Sequence, residues 1–150
     1  MLEMQKEFAT FAIISKITSF NSLLDKRKLM KINKFEEIEA WQKSREIVNS
    51  IYKISNKNSF SKDFALRDQI HRAVISIPSN IAEGFSRKSN KEFIQYLFIA
   101  KGSAAEIQTQ LYLALDQKYI TQGEFDKLYE DLEVISKQIS KFITYLKKTL

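Results

Sequence analysis

Residues 93–114 read FIQYLFIAKGSAAEIQTQLYLA, and residues 125–146 read FDKLYEDLEVISKQISKFITYL. In both stretches an apolar residue recurs at alternating spacings of four and three. This spacing places the apolar side chains on one face of a helix, and about three heptads of it are typical of helices packed at shallow angles. Both stretches therefore predict long helices of a bundle. The repeating positions are Phe93, Leu97, Ala100, Ala104, Ile107, Leu111 and Ala114, then Phe125, Leu128, Leu132, Ile135, Ile139, Phe142 and Leu146.

Two earlier segments show the same period. They comprise Ala40, Ser44, Ile47, Ile51 and Ile54, with Trp41 and Val48 alongside, and then Leu66, Ile70, Ala73, Ile77 and Ile81. Polar segments at residues 56–59 and 86–90 separate the helices, and helices joined by short connections pack antiparallel. Ser89 with Glu92, and Thr121 with Glu124, match the capping box that opens a helix. The sequence predicts an all-α, up-down-up-down antiparallel four-helix bundle over residues 34–150.

Residues 1–33 fit this plan poorly. We expect an N-terminal extension there, either disordered or forming an extra helix near residues 8–20, with Met30 as an alternative start. The apolar stretch at residues 8–14 is too short to span a membrane, and Glu3 and Glu7 do not suit a signal peptide. We therefore expect a cytoplasmic protein with no membrane partner.

The composition disfavours catalysis. The 150 residues include no cysteine, one histidine and three glycines, so thiolate metal sites, an HExxH motif and a glycine-rich phosphate loop are all excluded. No ExxH pair occurs for a carboxylate-bridged metal centre. We expect no enzymatic activity, no catalytic residue, no bound metal and no cofactor.

Positive charge is concentrated in two regions. The net charge is +6; residues 1–34 carry +4 and residues 61–91 carry +3. Basic side chains beside a helix start can bind phosphate groups, although a solvated lysine-rich surface explains the same charges. For His71 the alternative to a binding role is an ordinary polar edge residue. The candidate nucleic-acid-binding residues are Arg67, His71, Arg72, Arg87, Lys88 and Lys91.

Several other residues are interpreted as structural, Trp41 among them. Pro78 lies inside a helical period, so the helix either kinks and continues or stops and restarts there. In this setting Asn80 could bond freed backbone groups or cap a restart, and Gly84 would suit a helix stop. Gly102 favours close approach of another helix, within the bundle or in a second subunit.

The repeating apolar positions form one stripe along each helix, and large aromatic residues also lie outside these stripes. Homo-oligomerisation would bury them, and the alternative is that tyrosines edge the core with their hydroxyls in water. The residues concerned are Tyr52, Tyr96, Phe98, Tyr112, Tyr129 and Tyr145.

Four segments resemble a known bacterial family. Residues 35–43 (FEEIEAWQK), 72–84 (RAVISIPSNIAEG) and 99–111 (IAKGSAAEIQTQL) are similar to its characteristic runs. Residues 118–120 (KYI) match its G-Y-I turn, with Lys118 in place of the usual glycine. This is the four-helix-bundle family encoded within intervening sequences of 23S rRNA. It is related to the accessory variability determinant of diversity-generating retroelements.

The resemblance implies an all-α bundle and a homo-oligomeric ring, five-fold in the relatives. It implies no catalysis. For the retroelement relatives it implies basic surfaces that bind nucleic acid and a partner reverse transcriptase. The leading hypothesis is therefore a non-enzymatic oligomer that binds RNA or DNA through basic surface residues. The alternative is a protein–protein scaffold with no nucleic-acid contact.

Overall fold

The computed structural model describes residues 32–150, and residues 34–150 form one compact unit. The expected N-terminal extension, with its alternatives of an extra helix and a start at Met30, lies outside the described residues except for Ile32 and Asn33. The helices are α1 (Glu39–Ser55), α2 (Phe64–Phe85), α3 (Asn90–Asp116) and α4 (Gln122–Lys147), with short 3-10 turns at Phe35–Glu37 and Phe60–Lys62. Residues 32–150 contain no strand. The predicted all-α fold with four helices is confirmed.

The four apolar stripes form the core. Every repeating position of the predicted stripes is buried except Leu66, which is half-buried. Burying one large aliphatic or aromatic side chain contributes about 1.5–3 kcal/mol, so the shared period drives the helices together. α3 packs against α2 and α4, and α1 packs against the same two helices.

Hydrogen bonds join the ends of helices that are distant in sequence. Asn90 at the start of α3 donates from Nδ2 to Thr149 Oγ1, just beyond the end of α4, at 2.8 Å. The Tyr119 hydroxyl, just beyond the end of α3, donates to Asp63 Oδ2 at the start of α2, at 3.1 Å. The start of α3 therefore lies beside the end of α4, and the end of α3 lies beside the start of α2.

The helix starts confirm one predicted capping box fully and the other in part. At α4 the Thr121 hydroxyl accepts from the backbone N–H of Glu124, whose carboxylate accepts from the N–H of Thr121. At α3 the Ser89 hydroxyl caps the N–H of Glu92, but the Glu92 carboxylate contacts the Ser89 hydroxyl instead of its backbone. No helix within residues 32–150 has the length and apolar content needed to cross a membrane.

Helix α2 runs through Pro78 without interruption, so it continues and does not restart. Asn80 donates from its side-chain amide to the Ser76 carbonyl at 2.7 Å, and not to the Val74 carbonyl that Pro78 leaves without its helical donor. Trp41 lies half-buried at the start of α1, with its ring edge-on to Phe35 at 5.1 Å.

Two glycines differ from expectation. Gly84 is no helix stop: it lies inside α2, with no positive φ, and a Cβ there would lie 2.6 Å from Phe93 Cδ2. Its function in the fold is the close approach of α3. Gly102, which we expected at such a contact, has nothing within 4 Å of an added Cβ. The expectation of a helix neighbour within the bundle is wrong at Gly102, and only a neighbour from a second subunit stays open.

Candidate nucleic-acid interface

The six candidate residues fall into two groups that α2 holds far apart. Arg67, His71 and Arg72 lie in the first turns of α2, whereas Arg87 and Lys88 lie in the connection to α3 and Lys91 lies in the first turn of α3. Arg67 and Arg87 are twenty positions apart, which corresponds to about 30 Å at the helical rise. The structure therefore does not bring the six together into one site.

The guanidinium of Arg67, in the first group, is engaged by neighbouring residues of the chain. Its guanidinium donates to the Ser61 carbonyl at 2.9 Å and lies over the Phe64 ring, 4.9 Å from the ring centre. A further contact joins Arg67 to Asp68 at 3.4 Å. Arg72 is exposed and forms no ion pair within residues 32–150, so it is the freer cation of this group.

His71 is a packing residue. Its ring stacks on Tyr52 with centres 4.0 Å apart, and Nε2 lies 2.7 Å from the Ser55 hydroxyl. Burial and then the charge of Arg67 lower the pKa of His71, against the weaker opposing influence of Asp68. The imidazole is therefore biased towards its neutral form and adds little positive charge for a phosphate.

The contact between Ser55 and His71 has the elements of a nucleophile and its base. Ser55 is completely buried, however, and its hydroxyl also donates to the Ile51 carbonyl at 2.7 Å. A nucleophile must reach its substrate, and this hydroxyl is closed off inside the bundle. The hydrogen bond between Ser55 and His71 links α1 to α2.

Arg87 in the second group is tied to neighbours. It bonds the Glu83 carboxylate and the Tyr96 hydroxyl, and the bond to Glu83 raises its pKa above the ordinary value. Lys88 and Lys91 are exposed, and neither forms an ion pair with any described residue. These two lysines are the cations of this connection that are available to a phosphate.

The start of α3 is already partly occupied. The Ser89 hydroxyl accepts the N–H of Glu92 at 3.3 Å, and the Glu92 carboxylate lies 2.7 Å from the same hydroxyl. A carboxylate beside a helix start stabilises the helix dipole and repels a second anion. Any phosphate at this connection would therefore depend on Lys88 and Lys91 more than on the helix N-terminus.

A second basic surface, which the distribution of charge along the sequence does not predict, lies between α3 and α4. Lys101 of α3 and Lys137 and Lys141 of α4 line an open groove of about 440 Å³. Net charge by segment could not reveal it, because acids balance the lysines along α4. The spacing of Lys137 and Lys141, one helical turn apart, is the one sequence signal that pointed to it.

Most of the off-stripe aromatic residues pack within the chain. Tyr52 stacks on His71, Tyr96 bonds Arg87, and Tyr129 contacts both Tyr112 and Phe125. Tyr145 lies 6.5 Å from Phe142, ring centre to ring centre. Of the six, Phe98 and Tyr112 stay about half exposed. Both lie on α3, which is also the helix of the exposed Ile99 and Leu113.

Within residues 32–150 no three acidic or histidine side chains are arranged to hold a metal ion. The described surface offers lysines without ion pairs at the α2–α3 connection, the lysine-lined groove between α3 and α4, and exposed apolar side chains on α2 and α3.

Comparison with known proteins identifies the family. No curated protein matches the chain. A matching crystal structure is that of a protein with unknown function from the S23 ribosomal protein family of Bacteroides thetaiotaomicron VPI-5482. It is 31% identical, with a TM-score of 0.64, and the match covers 69% of this chain and 97% of that one. The family model for the 23S rRNA-intervening sequence protein matches residues 36–141, so the chain belongs to that family, which is named for an rRNA insertion and not for an enzymatic activity.

Proposed function

We propose that the chain is a non-catalytic, oligomeric four-helix bundle that binds RNA or DNA through basic residues on its surface. The observation that carries this proposal is the pair Lys88 and Lys91, which are exposed and form no ion pair with any described residue. Uncompensated cations attract phosphates and release counterions on binding. The net charge of +6 and the rRNA context in the family's name support the same proposal.

The proposal includes an up-down-up-down order of the helices. Its support is the contact of Asn90 with Thr149 and of Tyr119 with Asp63, each joining the start of one helix to the end of another. In this order the α2–α3 connection lies beside the C-terminus. Lys88 and Lys91 then share one end of the bundle with Lys147 and Lys148.

The proposal also includes self-association, with a ring of five as the resemblance implies. Ile99 and Leu113 are about half exposed on α3, and an added Cβ at Gly102 between them meets open space. Exposed apolar side chains on one helix, beside a glycine with room above it, suit the close approach of a second copy. A cytoplasmic location remains part of the proposal.

The test is fluorescence anisotropy across a salt series, with structured RNA and duplex DNA. The test variant is Lys88→Gln/Lys91→Gln, and the matched control is Lys53→Gln/Lys57→Gln, which removes the same charge near the other end of the bundle. Loss of two duplex phosphate contacts should reduce the slope of log K against log salt by about 1.8. Equal slopes in the two variants would contradict a role for these lysines, and no binding at low salt would overturn the proposal.

A protein scaffold is the second candidate. Exposed Phe64 and Ile75 on α2 favour it, because apolar side chains in water suit protein contacts. The partner that the retroelement resemblance implies is a reverse transcriptase. Two results together would favour this candidate. The bundle would bind such a protein with an affinity that does not weaken with salt, and it would bind no nucleic acid.

A further inference from the structure

The groove between α3 and α4 carries more positive charge than its sequence segments indicate. Lys101, Lys137 and Lys141 line it, and Glu133 is its one acidic lining residue among those described. The Glu133 carboxylate lies 3.5 Å from the ammonium of Lys137. Lys101 and Lys141 form no ion pair within residues 32–150. Two cations are therefore left to attract an anion into the groove.

Polar side chains without charge complete the lining. Gln108 of α3 and Ser136 and Ser140 of α4 contribute amide and hydroxyl groups. These groups donate hydrogen bonds to phosphate oxygens as readily as to water, and they do not select a particular base. The lining therefore suits a phosphate backbone.

An exposed aromatic ring lies one helical turn from this lining. Phe98 precedes Lys101 by three residues on α3 and is 45% exposed. The Lys147 ammonium lies over the Phe98 ring, 5.5 Å from its centre. Residues three apart on a helix are neighbours on its surface, so Phe98 and Lys101 present a ring and a cation side by side. A phenyl ring beside ammonium groups is the combination on which unpaired bases stack.

The groove joins the cations that carry the proposed function. Lys91 and Phe98 are seven residues apart, which places them on one face of α3. The hydrogen bond between Asn90 and Thr149 holds the C-terminus, with Lys147 and Lys148, against the start of α3. Lys91, Phe98 and the groove residue Lys101 therefore follow one another along α3, with Lys147 over the Phe98 ring.

We infer that the α3–α4 groove binds single-stranded nucleic acid, with backbone phosphates at Lys101 and Lys141 and an unpaired base stacked on Phe98. This inference rests on the proposed function and names its ligand class. A duplex keeps its bases stacked inside and cannot offer one to Phe98. The proposed contacts are to phosphates and to the face of a base, which RNA and DNA share, so single-stranded RNA and DNA should both bind.

The experiment measures anisotropy of labelled 20-nucleotide single strands, oligo-U and oligo-dT, and of one duplex, with the full chain. Lys101→Gln/Lys141→Gln removes the groove cations, and Phe98→Leu removes the stacking ring. Phe64→Leu is the control for the ring, because Phe64 is also exposed beneath a cation, Arg67. Lys53→Gln/Lys57→Gln is the control for charge.

Phe98→Leu should weaken single-strand binding about tenfold, since stacking of one base is lost, and leave duplex binding unchanged. Lys101→Gln/Lys141→Gln should lower the single-strand salt slope by about 1.4, the value for two contacts. Phe64→Leu should not weaken single-strand binding, and Lys53→Gln/Lys57→Gln should not lower the salt slope. If only Lys88→Gln/Lys91→Gln weakens binding, the groove inference is overturned and the proposed function stands. If the unmodified chain binds none of the nucleic acids at low salt, both are overturned.

Discussion

Gly84 of α2 lies directly against Phe93 of α3. A Cβ on Gly84 would lie 2.6 Å from Phe93 Cδ2 and 2.7 Å from Tyr96 Cβ, far inside van der Waals contact. Both neighbours belong to the first turns of α3, immediately after the α2–α3 connection. The absence of a side chain at Gly84 therefore sets how closely α3 packs as it leaves this connection, beside Lys88 and Lys91.

In Gly84→Ala the methyl group displaces α3, at a cost of up to about 3 kcal/mol, and the net effect should be a loss of stability. The gain in helix propensity, about 1 kcal/mol, offsets only part of this cost. The matched control is Gly102→Ala, where the methyl group meets open space and only the propensity gain applies. Urea unfolding should show opposite signs for the two variants, and a stabilised Gly84 variant would contradict the close contact.

Lys118 adopts a backbone conformation that glycine prefers. Its φ is +59°, in the left-handed region, at the turn where the family resemblance has glycine. This conformation costs a residue with a Cβ about 1–2 kcal/mol, whereas glycine adopts it freely but loses somewhat more conformational entropy on folding. Lys118→Gly should therefore raise the free energy of unfolding by about 0.5–1 kcal/mol, whereas Lys118→Ala should not. Equal denaturation midpoints for the two variants would argue against strain at this turn.

Ser76, Asn80 and Ser103 form a polar link across the α2–α3 interface. The Ser103 hydroxyl lies 2.9 Å from that of Ser76, to which Asn80 Nδ2 also donates at 2.9 Å. A double-mutant cycle of Ser76→Ala and Ser103→Ala should show a coupling of about 0.5–1 kcal/mol. Ser50→Ala is the control, since Ser50 bonds only within its own helix. Strictly additive effects would show that the two hydroxyls do not interact in solution.

The fold was predictable because its information is local. The four-three spacing from Phe93 and Phe125 requires only the sequence, and those positions are buried. The helix stop at Gly84 and the neighbour within the bundle at Gly102 were predicted wrongly, because a close contact depends on where a neighbouring helix lies. Gly84 meets α3 through the packing of two segments, and neither segment alone reveals it.

The candidate site was less predictable for a related reason. Charge summed along the chain drew attention to residues 61–91 and away from the balanced α4. Arg87 was included there although Glu83, one turn earlier, neutralises it. Lys101 and Lys141 are forty residues apart and share a groove only after α3 and α4 pack. Their role required the three-dimensional arrangement.

His71 makes stability depend on pH in a defined direction. Burial and Arg67 lower its pKa below the ordinary value of 6.5, so the unfolded chain binds the proton more readily than the folded protein. The stabilisation of the folded protein that comes from neutral His71 is fully present well above pH 6.5. It declines as the pH falls from 6.5 towards the lowered pKa of the folded protein. The pH range from 7.5 to 5.5 is centred on the ordinary histidine pKa of about 6.5. As the pH is lowered across this range, the urea midpoint should fall less in His71→Gln than in the unmodified protein. An equal fall of the urea midpoint in the two proteins would assign the pH dependence of stability to other groups.

Self-association should depend on the outward side of α3. Ile99→Glu would place a charge in the proposed contact between copies, where an unpaired buried charge costs several kcal/mol. Light scattering should then show the multimer reduced towards the 17.6 kDa of one chain. Ile75→Glu is the matched control, because Ile75 is similarly exposed but lies on α2. If Ile75→Glu dissociates the multimer and Ile99→Glu does not, the contact lies on α2; a monomeric unmodified chain would remove self-association from the proposed function.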